Sequence, residues 1–415
     1  MFLTRFRKKA AEEKDISRVT KWKEMYEGRS ETGVTSLNLA AAICSELARL
    51  VTIEMKPKVT GGEVAERALR RFMPKIREKC ELACALGGGM LRPYFKGKEI
   101  YIEFIPADRF VITDFDDEGV AQGAIFTDRF KEGDKYYTRL EEHKITPEGY
   151  VVTNRAYSSR SVSGDFGSPI KLSEVPRWSE LSERTVIQNL HRPLFVYFKM
   201  PFADNKNAES RLGVSVFDRA MGLIREADRQ FSRLLWEFEG GELAIDASID
   251  ALRFNERGIA EAPKLSKRLF RGLGIDAGDR DLYSVFSPEL RDSSIINGLN
   301  EILMRIEDAC GLARGSFSNV NCEAKTATEI KILNQRSYST VCDIQRSLKN
   351  ALSEVLSVCA LLARLYGLEN EGEPELSIEF DDSIVCDRQT EFSEKLQLVG
   401  AGIMTKEEFR KWYFN

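Results

Sequence analysis

The chain has 415 residues, of which 43% are hydrophobic and 30% are charged, a composition typical of a folded protein with a highly charged surface. Its 61 basic and 65 acidic residues give a net charge of −4, which disfavours tight static binding of nucleic acid over the whole surface. No run approaches the length of apolar sequence that a membrane span needs, and the basic start lacks the apolar segment of a signal peptide. We therefore expect a protein of several compact parts that is made and used in the cytosol.

Eight cysteines are scattered through apolar patterns, which favours free thiols in a reducing compartment. Cys80 and Cys84 lie one helical turn apart, but the sequence offers no second pair or nearby histidine that would complete a zinc site. The sequence predicts neither a metal site nor a cofactor.

The N-terminal region predicts helices. Residues 1–35 are charged and weakly periodic, which is typical of a peripheral arm or a short surface helix. An amphipathic helix is predicted over 36–55 with Ser36 as its N-cap. A second helical stretch begins at Glu63, and Pro74 either kinks it or starts a new helix.

Three glycines, 87–89, are predicted to end that helical stretch. They are a poor phosphate-binding loop, because neither a Lys-Ser nor a Lys-Thr pair follows and the next element has the pattern of a strand.

Short β-rich runs separated by turn residues predict a mixed or antiparallel sheet over residues 89–160. The acidic cluster 114–118 is predicted to be a solvated turn rather than a metal site. Residues 160–192, rich in Ser, Gly and Pro, predict a long excursion, which a further strand follows.

Long helices dominate the second half of the chain. One is predicted from Val214 to Phe238 with an apolar stripe that includes Ile224, Ala227 and Phe238, and another over 293–312, with a strand predicted between them from ELAIDASI (242–249). A third, without Gly or Pro, is predicted from Thr326 to Tyr366, with a stripe that includes Val341, Ile344 and Leu352. Such a long third helix with a broad apolar face favours self-association. The loop 311–325 is polar and flexible in composition and too long for a simple helical hairpin, which is typical of a functional loop.

Candidate catalytic residues are few. His143 and His191 are the two histidines, and neither lies in a recognisable catalytic motif. Glu379, Asp381 and Asp382 end a predicted strand, where carboxylates can hold Mg²⁺, but an acidic turn is the more frequent arrangement. The sequence therefore favours a protein that is not an enzyme.

Five segments in order resemble the portal proteins of tailed bacteriophages, especially those of phages of Gram-positive hosts. They are AAAICSELARLV (40–51), EIYIEFIPADRFVITDFDDEGVAQGAIF (99–126), HRPLFVYFKMPFADN (191–205) with the helical run after it, ILMRIEDACGLARGSFS (302–318) and KTATEIKILNQRSYSTVCDIQRSL (325–348).

The resemblance implies an α+β, ring-forming portal architecture with a central DNA channel. The implied regions are an N-terminal arm (1–35), a wing (36–213), stem helix 1 (214–239), a clip (240–290), stem helix 2 (291–312), a tunnel loop (311–325), a long tunnel and crown helix (326–367), and a wing-return strand with crown-like helices (368–415).

The implied function is a ring at one capsid vertex that conducts DNA during packaging and ejection. Implied partners are further copies of the chain, twelve in the ring, double-stranded DNA, the terminase large subunit, the head-tail adaptor, and the major capsid and scaffold proteins, with no membrane. The implied location is the virion, after assembly in the host cytoplasm.

The tunnel loop carries the candidate site residues. Small polar side chains can make weak, exchangeable phosphate contacts, to which two cations add limited charge. The candidates are Arg314, Ser316, Ser318, Asn319, Asn321 and Lys325. Alternatives remain: a connector loop that never meets DNA, another virion ring or minor capsid protein, or a Mg²⁺-dependent nuclease using Glu379, Asp381 and Asp382.

Overall fold

The computed structural model describes residues 12–53, 55–161, 166–242, 244–248, 253–254, 260–261, 270–273, 283–319, 327–368, 372–380 and 388–414. The helices are α1 Glu12–Tyr26, α2 Leu39–Thr52, α3 Glu63–Phe72, α4 Ile76–Leu86, α5 Met221–Gly240, α6 Asp292–Cys310, α7 Ala327–Leu365, α8 Arg388–Gly400 and α9 Lys406–Phe414.

The strands are β1 Met55–Thr60, β2 Gly88–Lys96, β3 Glu99–Pro106, β4 Phe110–Phe115, β5 Ala121–Glu132, β6 Lys135–Thr146, β7 Gly149–Ser159, β8 Ser168–Ile170, β9 Arg184–Ile187, β10 Val196–Lys199, β11 Ala244–Ser248, β12 Arg253–Phe254, β13 Ala260–Glu261, β14 Phe270–Leu273, β15 Tyr283–Phe286 and β16 Glu375–Phe380. Long helices beside mainly antiparallel sheets confirm the predicted α+β class.

Helix α1 is anchored in the main core and is not a peripheral element. Trp22 is 3% exposed, and its indole N–H donates to a carboxylate oxygen of Asp218 at 2.7 Å. The sequence did not predict the burial of this helix, because its one buried aromatic side chain, Trp22, lies among charged residues.

The predicted N-cap of α2 is wrong. The helix begins at Leu39 after Asn38, which has a left-handed conformation, and the Ser36 hydroxyl accepts from the Asn38 N–H at 3.0 Å. The helix also ends at Thr52 rather than running to Met55, where β1 starts.

Pro74 starts a new helix, as one of the two predictions had it. A single 3-10 turn over Met73–Lys75 separates α3 from α4. Gly87 follows α4 with φ +82°, a left-handed conformation that favours glycine, so the predicted helix stop is confirmed.

The main core lies between helices α2, α3, α4 and α7 and the sheet β10-β2-β3. Its fully buried side chains include Ile43, Leu47 and Phe217. Cys44, Cys80, Cys84 and Cys310 are buried here as free thiols, and burial raises the pKa of Cys44. Within the described ranges, no three His, Cys, Asp or Glu side chains converge as a metal site would require.

A six-stranded antiparallel sheet carries a second, smaller core. Its order is β4-β5-β6-β7-β8, with β9 also paired to β7, so the β-rich prediction is confirmed. Phe110 and Phe126 from this sheet pack with Met90 of β2 and with Phe195, which directly precedes β10. The acidic turn before β5 is organised by Asp116, whose carboxylate accepts from the Val120 N–H at 2.8 Å.

Residues 160–192, predicted as a long excursion, contain two short strands. In the described part, β8 and β9 add to β7, and the side chain of Trp178 is 1% exposed beneath them. Its indole N–H donates to Asp128 at 3.1 Å.

Helix α5 starts later than predicted, because residues 214–217 are buried but not helical and a 3-10 turn precedes Met221. Helix α6, at Asp292–Cys310, differs from the predicted range 293–312 by one residue at its start and two at its end. Between them, β11 lies in a sheet of order β14-β11-β15 and confirms the strand predicted from ELAIDASI.

The predicted long helix is confirmed as α7, with 39 residues and a length of about 58 Å. Gly367, with φ +66°, follows its end. Val341, Ile344 and Leu352 are buried as the stripe predicted. Strand β16 is confirmed too, and it pairs with the unpredicted β1.

The two C-terminal helices were also predicted, and Phe392 of α8 packs against Phe409 and Tyr413 of α9. Across the ranges described, no helix combines the length and the apolar character that crossing a bilayer takes.

Candidate functional site

Helices α5 and α6 form an antiparallel pair whose inner ends belong to the main core through Ile224, Ala227 and Ile306. The carboxylate of Glu237, near the end of α5, accepts from the Arg291 N–H at 2.9 Å and from its guanidinium at 2.8 Å. The hydrogen bonds from Arg291 lower the pKa of Glu237 to about 2. The pair therefore stays charged at neutral pH and ties the outer ends of the helices together.

Large apolar side chains are exposed at this outer end. The predicted stripe along α5 is buried at Ile224 and Ala227, but Phe238 is 45% exposed. Trp236 is 64% exposed. This outer apolar surface comprises Leu235, Trp236, Phe238, Leu290 and Ile296. Several exposed large apolar side chains at one end of a helix pair indicate a region that contacts another molecule.

At the inner end, the chain turns sharply from α6 into the predicted loop. Gly311 has φ +72°, and the Leu312 N–H donates to the Glu307 carbonyl at 2.9 Å. A side chain at Gly311 would meet the Thr340 hydroxyl of α7. Leu312 is buried, so the first residues of the loop pack against the core.

The carboxylate of Glu307 gathers the next part of the loop. One oxygen accepts from the backbone N–H groups of Phe317 at 2.6 Å and Ser318 at 2.8 Å. The other accepts from the Ser318 hydroxyl at 2.7 Å and the Gly315 N–H at 3.2 Å. Glu307 itself is 0% exposed. We call residues 311–319, with this set of hydrogen bonds, the loop root.

Further bonds join the loop root to both helices. Asp308 accepts from Arg314 of the loop at 2.7 Å and from Arg336 of α7 at 2.6 Å, and the hydrogen bond from Arg314 lowers its pKa. Asn319 exchanges two hydrogen bonds with Asn300, its N–H donating at 2.6 Å and its carbonyl accepting at 2.9 Å. The loop root is therefore fixed to α6 and α7 together.

A buried carboxylate organises residues 311–319, although this segment is small, polar and flexible in composition. Ser318 is 7% exposed and its hydroxyl is taken by Glu307, while the Ser316 hydroxyl donates to the Ala313 carbonyl at 2.7 Å. Arg314 and Asn319 are exposed. Asn321 and Lys325 lie outside the described residues.

Sequence reasoning missed Glu307 and Asp308. Both lie in the last turn of α6, where the negative end of the helix dipole disfavours an acidic side chain. Two adjacent acids at a helix C-terminus therefore signal specific donors nearby, and here those donors belong to the loop.

The other chemical candidates are placed differently. His143 is buried, with ring nitrogens 2.7 Å from Glu141 and from the Tyr150 hydroxyl, and it lies inside a sheet. His191 is exposed. Glu379 is exposed on β16 opposite Lys56, while Asp381 and Asp382 fall outside the described residues.

An exposed apolar end on a helix pair is typical of proteins that associate with other molecules. The family described as "Phage portal protein, SPP1 Gp6-like" matches residues 69–415, and the chain belongs to this family. Its function is that of a phage portal, a structural component of the virion at the capsid vertex where head and tail connect.

Solved structures similar to this chain include one titled "Neck of native GTA particle computed with C12 symmetry". Its TM-score is 0.47 and its sequence identity is 12%, with coverage of 94% of this chain and 92% of that one. Among curated proteins, none matches the chain.

Proposed function

We propose that copies of this chain, twelve as the resemblance implies, form a ring whose axial channel conducts double-stranded DNA. The observation that carries the proposal is the outer apolar surface of α5 and α6, with Trp236 64% exposed. Neighbouring copies repeated around an axis would bury this surface, and burial of apolar area is the main favourable term in such association.

In this ring, α5 and α6 are the stem helices, and the segment 311–325 faces the channel. Arg314, Ser316 and Asn319 are the exposed candidates of the loop root. The charge of Arg314 is partly balanced by Asp308 at 2.7 Å, so its attraction to a phosphate is reduced. Weak contacts of this kind suit DNA that has to slide.

The remaining regions have assigned partners in the proposal. Residues 240–290 form the clip, which docks the terminase large subunit and the head-tail adaptor. The major capsid and scaffold proteins are further partners of the ring, which assembles in the host cytoplasm before it enters the virion.

The test is a charge placed on the outer apolar surface. Trp236→Glu is expected to abolish rings, because it puts an acidic group where a neighbour would bury an indole, and sedimentation velocity reports the loss. Val120→Glu is the matched control, because Val120 is 41% exposed in a turn of the six-stranded sheet. Rings of normal mass from Trp236→Glu would refute the role assigned to this surface.

A further inference from the structure

Glu307 is an unusual acid because its partners are almost all in the loop that follows it. It is 0% exposed, and its two oxygens accept four hydrogen bonds, three from backbone N–H groups and one from a hydroxyl. A buried carboxylate is stable only when such donors satisfy it. The donors converge on one point only if residues 315–318 wrap around the side chain, so Glu307 selects one conformation of the loop root.

The loop root is also bonded to two helices. Asp308 joins Arg314 of the loop to Arg336 of α7, at 2.7 and 2.6 Å, and the Ser337 hydroxyl accepts from the Ala313 N–H at 2.5 Å. A load on the exposed Arg314 or Asn319 would therefore reach both helices. Without the Glu307 carboxylate, these outer contacts would remain, as would the bond from the Gly315 N–H to the Ser318 hydroxyl at 3.1 Å, but the N–H groups of Phe317 and Ser318 would lose their acceptor.

We propose that Glu307 is a positioning residue that makes the loop root and helix α6 one rigid unit, so that α6 sets the position of the loop in the DNA channel. This inference rests on the proposed portal ring. It assigns to Glu307 no contact with DNA; its effect passes through the backbone of residues 315–318.

The variant Glu307→Gln tests this directly, because the amide keeps the size of the side chain but replaces one acceptor oxygen with a donor that faces the Gly315 N–H. In assembled rings, amide hydrogen exchange of residues 311–319 should accelerate at least about ten-fold, with exchange in α5 unchanged. Glu301→Gln, an exposed acid on the same helix, is the matched control and should leave exchange unchanged.

A double variant separates positioning from general damage. Ser318→Ala removes one of the four donors, so it should accelerate exchange less than Glu307→Gln and at the same residues. In the combined variant the two effects should not add, because both act on one network. Additive effects, or exchange that accelerates along the whole of α6 instead of the loop root, would overturn the proposal.

The functional readout is DNA retention in heads assembled with variant rings. Glu307→Gln should give rings of normal size whose heads lose DNA, whereas Glu301→Gln heads keep it. A loosened loop root with wild-type DNA retention would overturn the positioning role while leaving the portal ring intact. Wild-type chains that form no rings would instead remove the proposed function on which the inference rests.

Discussion

Position 87 requires glycine for two reasons, its left-handed backbone conformation and its close contact with Gly213. Its φ is +82°, and a Cβ atom there would lie 2.6 Å from the carbonyl oxygen of Gly213. Two segments that are distant in sequence thus contact each other through their backbones. One is the junction between α4 and β2, and the other precedes α5.

Gly119 provides a matched comparison, because its φ is +84° but a Cβ atom would meet nothing within 4 Å. Gly119→Ala should therefore cost only the left-handed strain, about 1–2 kcal/mol. Gly87→Ala adds overpacking and should cost about 3 kcal/mol in all, measured by denaturant unfolding. Equal losses in the two variants would show that the close approach to Gly213 contributes nothing.

The buried network around His143 makes a prediction about acid. The Leu194 N–H donates to the Tyr150 hydroxyl at 3.2 Å, so that hydroxyl can donate to Nδ1 of His143, whose Nε2–H then donates to Glu141. Burial lowers the pKa of His143 in spite of Glu141, and the imidazole is neutral. Arg92 and Arg139 lie beside the same carboxylate.

A histidine pKa that is lower in the folded chain means that the unfolded chain binds more protons, so the folded state loses stability as the pH falls below about 6.5. His143→Phe removes this source of acid sensitivity. The slope of unfolding free energy between about pH 6.5 and 5 should be shallower in His143→Phe than in the wild type, whatever its effect at pH 8. Identical slopes would show that His143 does not titrate differently on folding.

At the scale of elements, apolar periodicity predicted the helices well where one face is buried along the whole element. Helix α7 is the best case, since Ile344, Leu348 and Leu352 are fully or almost fully buried. On α5 the same pattern predicted the helix but not the burial of its outer end, because Phe238 belongs to the stripe yet is 45% exposed. Periodicity reports that a face is apolar, but it cannot say whether the same chain or another molecule covers it.

Strand β1 could not be predicted from its own residues. Its sequence MKPKVT has little β character, and it forms because Met55–Thr60 pairs in register with Glu375–Phe380, more than 300 residues later. Pairing over such a separation leaves no pattern in the local sequence. The hairpins between β5, β6 and β7, in contrast, are predictable from the glycines in their turns.

The attachment of α1 gives a prediction at this scale. Trp22→Phe removes the N–H donor to Asp218, whose carboxylate is 1% exposed, and leaves a small gap beside it. We expect a loss of about 1–3 kcal/mol and faster proteolysis within α1. Ile16→Ala, at a position of the same helix that is 47% exposed, should change neither. Stability unchanged in Trp22→Phe would contradict the anchoring of α1.

At the scale of the whole molecule, the sequence indicated 311–325 as a candidate functional loop but not its internal structure. The length and polarity on which that prediction depends were visible locally. The order within 311–319 was not, because it depends on Glu307 being buried by the packing of α6 against the core. The family followed from five segments in order, while the number of subunits is not a property that one chain displays.

The central claim is that copies of this chain surround a DNA channel, and electron microscopy of the purified full chain tests it most directly. The account predicts rings with an axial opening wide enough for duplex DNA, about 20 Å, and the loop root at its narrowest point. A monomer under all conditions, or a ring without such an opening, would contradict it.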